Sequence, residues 1–134
     1  MALGKYINPD VIEGKFSESG FIENIVVLGE NQKYAGAIII PDFAFLKTWC
    51  QKHEIKYTTP QEMILNPDVK KRYAEEIKKI NQNFGDTEKI KRYELIADEW
   101  SVTNGFLTPT LKVKRNVVKD VYKDLINKMY KDND

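Results

Sequence analysis

One cysteine, Cys50, and one histidine, His53, occur in the 134 residues. Their scarcity excludes an intramolecular disulfide, most thiolate metal sites and any His/Cys metal cluster built within one chain. Glycine is also sparse and scattered. Neither GxGxxG nor GxxxxGK(S/T) is formed, so no phosphate-cradling loop of either kind is present. No apolar run approaches bilayer-spanning length; the longest, Ala35 to Ile40, has the length of a strand. Lys5, Asn8 and Asp10 interrupt the N-terminus too soon for a signal peptide. Nor does either sign of charge dominate. Twenty-one Lys+Arg against 20 Asp+Glu leave +1, whereas a general nucleic-acid binder usually carries a large basic excess. The expectation is a reduced, soluble, cytoplasmic domain.

What is present suits one domain with a real core. The length is that of a single unit. The composition, 42% hydrophobic and 31% charged, is ordinary for a globular chain. Asn8-Pro9 predicts a helix start, since Asn can cap and Pro suits the first helical position. Val11, Ile12 and Phe16 would share its buried face, and Gly20 would stop it. Ile22 to Leu28 and Tyr34 to Ile40 read as two strands joined by the turn Gly29-Glu30-Asn31-Gln32, an antiparallel hairpin. Asp42 can cap a helix burying Phe45, Leu46, Trp49 and Cys50. A loop at Thr58-Thr59-Pro60 and an apolar turn at Met63 to Leu65 follow. Asn66-Pro67-Asp68 opens the clearest helix, with Val69, Tyr73, Ile77, Ile80 and Phe84 three or four apart and Gly85 at its end. Ile90 to Ile96 alternates as a third strand. The polar loop Ser101 to Gly105 leads through Thr108-Pro109-Thr110 to a last helix from about Asn116, with Val117, Val121, Leu125 and Met129 on one face. The expected class is α+β: a small, mostly antiparallel sheet of about three strands, begun by a hairpin, with helices packed around it.

Few residues offer chemistry of their own. His53, near a helix end beside Lys52 and Glu54, reads as a solvated or dipole-stabilised histidine. Cys50 lies on an apolar helix face and reads as core. The carboxylates alternate with lysines at helical spacing, the pattern of a solvated helix face, and no isolated apolar pair suits acid–base work. The cluster Lys112, Lys114 and Arg115 differs. It follows a Thr-Pro-Thr turn and precedes a helix. In an extended segment Lys112 and Lys114 point one way and Val113 the other. A lysine carried there can reach a neighbouring phosphoryl or carboxylate group. On residue chemistry alone, a solvated charge run is the commoner outcome for such a cluster.

The stretch Glu99-Trp100-Ser101-Val102-Thr103-Asn104-Gly105-Phe106-Leu107-Thr108-Pro109-Thr110-Leu111-Lys112-Val113-Lys114-Arg115 resembles the closing signature of long-chain fatty acyl-CoA synthetases, in the acyl-adenylate-forming superfamily. Gly4-Lys5-Tyr6-Ile7-Asn8-Pro9, continued by Ile12-Glu13, is similar to the early motif of that family's C-terminal domain. Ile25 to Asp42 resembles its hairpin, and Lys89 to Ile96 its strand leading into the closing signature. Together these pieces cover nearly the whole chain in family order. The resemblance implies the mobile C-terminal domain of an AMP-forming long-chain fatty acid–CoA ligase, inactive alone. Its partner would be an N-terminal domain of the same parent chain that binds ATP, Mg²⁺ and the fatty acid. The resemblance makes Lys112 the adenylation lysine, and places Gly4 and Lys5 at the tunnel through which CoA arrives. Lys114 and Arg115 would support Lys112, or contact the partner domain or CoA phosphates. Many superfamily members carry Gly immediately before the lysine; here Leu111 stands there, as in the long-chain subgroup. The family's phosphate loop, acyl pocket, Mg²⁺ ligands and hinge lie upstream of Met1, so the chain is expected to be part of a longer ligase. That parent is expected in the cytoplasm or peripheral at a membrane. The competing expectation is a free-standing, non-catalytic interaction module that keeps the fold.

Overall fold

The computed structural model describes residues 7–29 and 32–131. In chain order the elements are α1 (Pro9–Phe16), β1 (Ile22–Leu28), β2 (Ala35–Pro41), α2 (Phe43–Lys52), α3 (Pro60–Met63), α4 (Pro67–Asn81), β3 (Ile90–Leu95), α5 (Arg115–Val121) and α6 (Lys123–Lys131). Side-chain oxygens cap the early helices as expected. Asn8 accepts from Asp10 N at 3.1 Å, Asp42 from Phe45 N at 3.1 Å, and Asn66 from Asp68 N at 2.8 Å. Each occupies an amide that the helix itself leaves without a partner.

The sheet order is β1-β2-β3. β1 and β2 form the expected antiparallel hairpin, and β3 lies parallel to β2. The parallel return follows from what lies between. Three helices intervene, and a crossover through helices brings the next strand back in the same direction. β2 is therefore central and buried along its whole length, which explains why it reads as an unbroken apolar run rather than an alternating one. The α+β class and the hairpin-begun sheet are as expected.

Alternate residues of the sheet feed two cores. On one face Ile25, Val27, Ala37 and Ile39 meet Ile12 and Phe16 of α1, Leu46 and Cys50 of α2, and Val69, Tyr73 and Ile77 of α4. On the other, Val26, Leu28, Ile38 and Ile40 meet Trp100, Leu107, Val118 and Met129. The second core carries the closing signature against the sheet.

Three local expectations change. Val11 and Phe45 are 58% and 45% exposed, because the buried stripes of α1 and α2 are narrower than their apolar residues allow. Phe45 still meets Phe21 edge-on at 4.8 Å. The long helix ends at Asn81, short of Gly85. The Asn81 amide exchanges two hydrogen bonds of 2.9 Å with the Ile90 backbone, joining the helix end to the start of β3. The last helix is two, broken at Tyr122 (φ −102°, ψ 23°). The buried stripe of α5 runs through Val118 and leaves Val121 57% exposed.

Candidate functional site

Residues 106–114 form a second, smaller hairpin on the far face of the sheet. Leu107 and Val113 pair antiparallel. Thr108 N donates to Lys112 O at 2.8 Å, Lys114 N to Phe106 O at 2.8 Å, and Leu111 N to Thr108 O at 2.7 Å. The Thr108 hydroxyl accepts from Lys112 N at 3.1 Å. This is a three-residue loop, Pro109-Thr110-Leu111, whose last residue is left-handed: Leu111 has φ 68°. Such loops place an αL residue at their third position, and Gly is its usual occupant. A Gly at position 111 would have a backbone reason, and Leu111 meets the same conformation under strain. Leu111 is 67% exposed, so its side chain gains little packing in return. Leu111→Gly should stabilise the folded chain by about 0.5–1 kcal/mol, the αL cost less the added freedom of the unfolded chain. The β-branched Leu111→Val should destabilise it by about as much. Chemical denaturation of the three proteins checks the order.

Aromatic packing fixes the base of the hairpin. The Trp100 ring stacks on Phe106, with centroids 5.4 Å apart and ring planes inclined by 13°. Trp100 Nε1 donates to the Tyr122 hydroxyl at 3.1 Å, and that hydroxyl donates to Asp98 Oδ2 at 2.6 Å. Burial and the bond to Asp98 push the Tyr122 pKa up to about 12, against a smaller lowering from Trp100. Tyr122 therefore remains a neutral donor through the neutral range. Asn104 closes the preceding loop, accepting from Ser101 N at 2.9 Å and donating to Glu99 O at 2.8 Å.

Lys112 leaves this frame into solvent. Its backbone is fixed on both sides, while its side chain is exposed. Among the described residues no carboxylate lies within ion-pairing distance of its Nζ. It borders an open cleft of about 470 Å³, also lined by Asp10, Glu13, Glu23, Asn24 and Arg115. Lys114 is exposed as well, and Val113 between them is half-buried, the alternation expected of an extended segment.

Arg115 is different: its guanidinium turns inward. Nη1 donates to Glu13 Oε2 at 2.5 Å and to Val27 O at 2.9 Å, and Nη2 to Glu13 Oε1 and Asp10 Oδ1, each at 3.3 Å. Glu13 Oε2 also accepts from Val27 N at 2.7 Å. The pair therefore satisfies both backbone groups of Val27 on the open side of β1, the edge-strand exposure that folded proteins have to cover. Within the chain, Arg115 is committed to Glu13, Asp10 and the Val27 carbonyl. Sequence reasoning missed these partners because Glu13 lies 102 residues away. The only signal was the Ile12-Glu13 step of the early motif, which carried no assigned role.

The remaining candidates fall as follows. Gly4 and Lys5 lie outside the described residues. Cys50 is fully buried, and burial holds its thiol above the ordinary value. His53 is exposed at the C-terminal end of α2, its ring 4.5 Å from that of Trp49. Among the described residues no three His, Cys, Asp or Glu side chains come together as a metal site. No described helix is long and apolar enough to cross a membrane.

The chain belongs to the family of AMP-binding enzyme C-terminal domains, whose match covers residues 1–134. It is 32% identical over 133 residues to human long-chain-fatty-acid–CoA ligase 6, covering 97% of this chain and 19% of that protein. It is 28% identical over 135 residues to the peroxisomal long chain acyl-CoA synthetase 6 of Arabidopsis thaliana, covering 98% and 19%. The chain thus spans about a fifth of the length of these relatives. Among solved structures, the didomain of the Segniliparus rugosus carboxylic acid reductase in complex with AMP superposes with a TM-score of 0.71 at 19% identity, covering 94% of this chain and 16% of that one. The adenylation domain of the Mycobacterium chelonae carboxylate reductase gives 0.73 at 15% identity, covering 93% and 18%. At those identities the superpositions support the fold.

Proposed function

We infer that this chain is the mobile C-terminal domain of a ligase that converts a long-chain fatty acid, ATP and CoA to acyl-CoA, AMP and pyrophosphate. The observation that carries the reading is Lys112: an ammonium free of ion pairs among the described residues, on an arm whose backbone is fixed. In adenylation the fatty carboxylate attacks the α-phosphorus of ATP and pyrophosphate leaves. Two anions must approach, and charge develops on the oxygens of the phosphorus. A positioned cation that meets that charge stabilises the transition state more than the separated reactants. CoA then attacks the acyl carbonyl through its thiol and AMP leaves. In that second step Gly4 and Lys5 would border the pantetheine tunnel. The large N-terminal domain of the parent would bind ATP, its Mg²⁺ and the acyl chain, so residues 1–134 alone would not turn over. The relatives named as long-chain fatty acid ligases support the substrate class, and a cytoplasmic location is part of the same proposal.

The test is fatty-acid-dependent ATP–pyrophosphate exchange and acyl-CoA formation by the full-length parent, across a series of acyl lengths. Exchange that requires a long-chain acid, and is lost when residues 1–134 are deleted, supports the reading. A parent without exchange on any fatty acid overturns it and leaves a non-catalytic interaction module.

A further inference from the structure

We propose that Arg115 and Glu13 are positioning residues for adenylation: their ion pair anchors the arm that carries Lys112 to α1 and to the open edge of β1. The inference rests on the reading of Lys112 given above. Three segments distant in sequence meet at one point. Glu13 comes from α1, the Val27 backbone from β1, and Arg115 from the first turn of α5, and four hydrogen bonds of 2.5–3.3 Å join them. Arg115 follows Lys112 by three residues, across the extended stretch 112–114, where each residue advances about 3.3 Å. The anchor therefore fixes the strand from which the lysine projects, about 10 Å from its own attachment. The hairpin bonds at Thr108 and Phe106 set the register of that strand. They do not hold the hairpin against the rest of the domain on the α1 side, where the cleft bordered by Lys112 also contains Asp10, Glu13 and Arg115. Arg115 and Glu13 supply that link.

The pair is suited to alignment. Both oxygens of Glu13 accept from the two terminal nitrogens of Arg115, and a two-bond fork sets an angle as well as a distance. The side chains are only 28% and 19% exposed, so solvent screening is limited. A lysine at 115 could keep the charge but not the fork. A transition state that needs the ammonium at the α-phosphate is sensitive to such loosening, since about 1 Å of misplacement can cost about 100-fold in rate.

The experiment uses the full-length parent. Arg115→Lys, Arg115→Ala and Glu13→Gln are each assayed for ATP–pyrophosphate exchange and, separately, for thioester formation from preformed acyl-adenylate. Arg115→Ala should lower kcat for exchange about 100-fold, and the two conservative variants about tenfold, with KM for ATP and fatty acid nearly unchanged. Thioester formation should keep its rate, because it does not use Lys112. A domain that had merely lost stability would lose both half-reactions. In the Lys112→Ala background, Arg115→Ala should add nothing to the loss of exchange, since residues acting as a unit are not additive. If Arg115→Ala folds poorly, Arg115→Lys and Glu13→Gln decide alone. Wild-type exchange in both conservative variants overturns the proposal. So does an Arg115 effect that appears in KM or adds to that of Lys112→Ala, either of which means direct substrate contact. Full exchange in Lys112→Ala by itself would instead overturn the reading of the lysine.

Discussion

Lys112→Ala in the full-length parent should lower fatty-acid-dependent ATP–pyrophosphate exchange by about 10²–10³-fold and leave thioester formation from preformed acyl-adenylate within a few-fold of wild type. The asymmetry follows from where charge changes. Adenylation builds negative charge on phosphate oxygens beside an attacking carboxylate, and a cation already in place needs no reorganisation to meet it. On the proposed function, thiol attack on the acyl-adenylate would take place with another face of the domain forward, so the ammonium would not be required there. Lys112→Arg should be intermediate in exchange: the charge persists, but a planar fork replaces a compact ammonium on a longer stem. Stability cannot account for the loss. The side chain is exposed and free of ion pairs among the described residues, so its removal should shift unfolding by less than about 0.5 kcal/mol. Equal loss of both half-reactions would remove the assignment to adenylation.

The sequence was most readable where a local rule and a buried face agreed. Asn8-Pro9, Asp42 and Asn66-Pro67 state helix starts, and each cap forms. Val69, Tyr73, Ile77 and Ile80 state a stripe, and all four are buried. It was least readable where a distant partner decided. Nothing near Ile90 says that β3 pairs parallel to β2, since the intervening helices set its direction. Nothing near Val121 says that the last helix breaks at Tyr122, whose hydroxyl is held by Asp98 and Trp100. The candidate site divides in the same way. The exposed, extended setting of Lys112 was legible from its place between a Thr-Pro-Thr turn and a helix. The backbone reason for a glycine before it emerges only with the Leu111 φ of 68°. The commitment of Arg115 to Glu13 depends on a contact across the fold.

Trp100→Ala should destabilise the chain by about 3–5 kcal/mol, a large part of what a domain of this size possesses. Trp100 is 5% exposed and belongs to the core on the closing-signature face. Removing the indole deletes the stack on Phe106 and leaves a cavity between the sheet and α5. It also removes the donor to the Tyr122 hydroxyl, leaving that group with Asp98 alone. Trp100→Phe restores most of the ring volume but not the Nε1 donor, and should cost about 1–2 kcal/mol. Urea denaturation of the isolated domain measures both, with an unchanged m-value as the sign that folding remains two-state. Because Phe106 starts the hairpin arm whose partner strand carries Lys112, the same substitution in the full-length parent should slow adenylation even at temperatures where the domain stays folded. A Trp100→Ala domain as stable as wild type would show that the hairpin is held by its own hydrogen bonds and the Arg115 anchor, without the aromatic base.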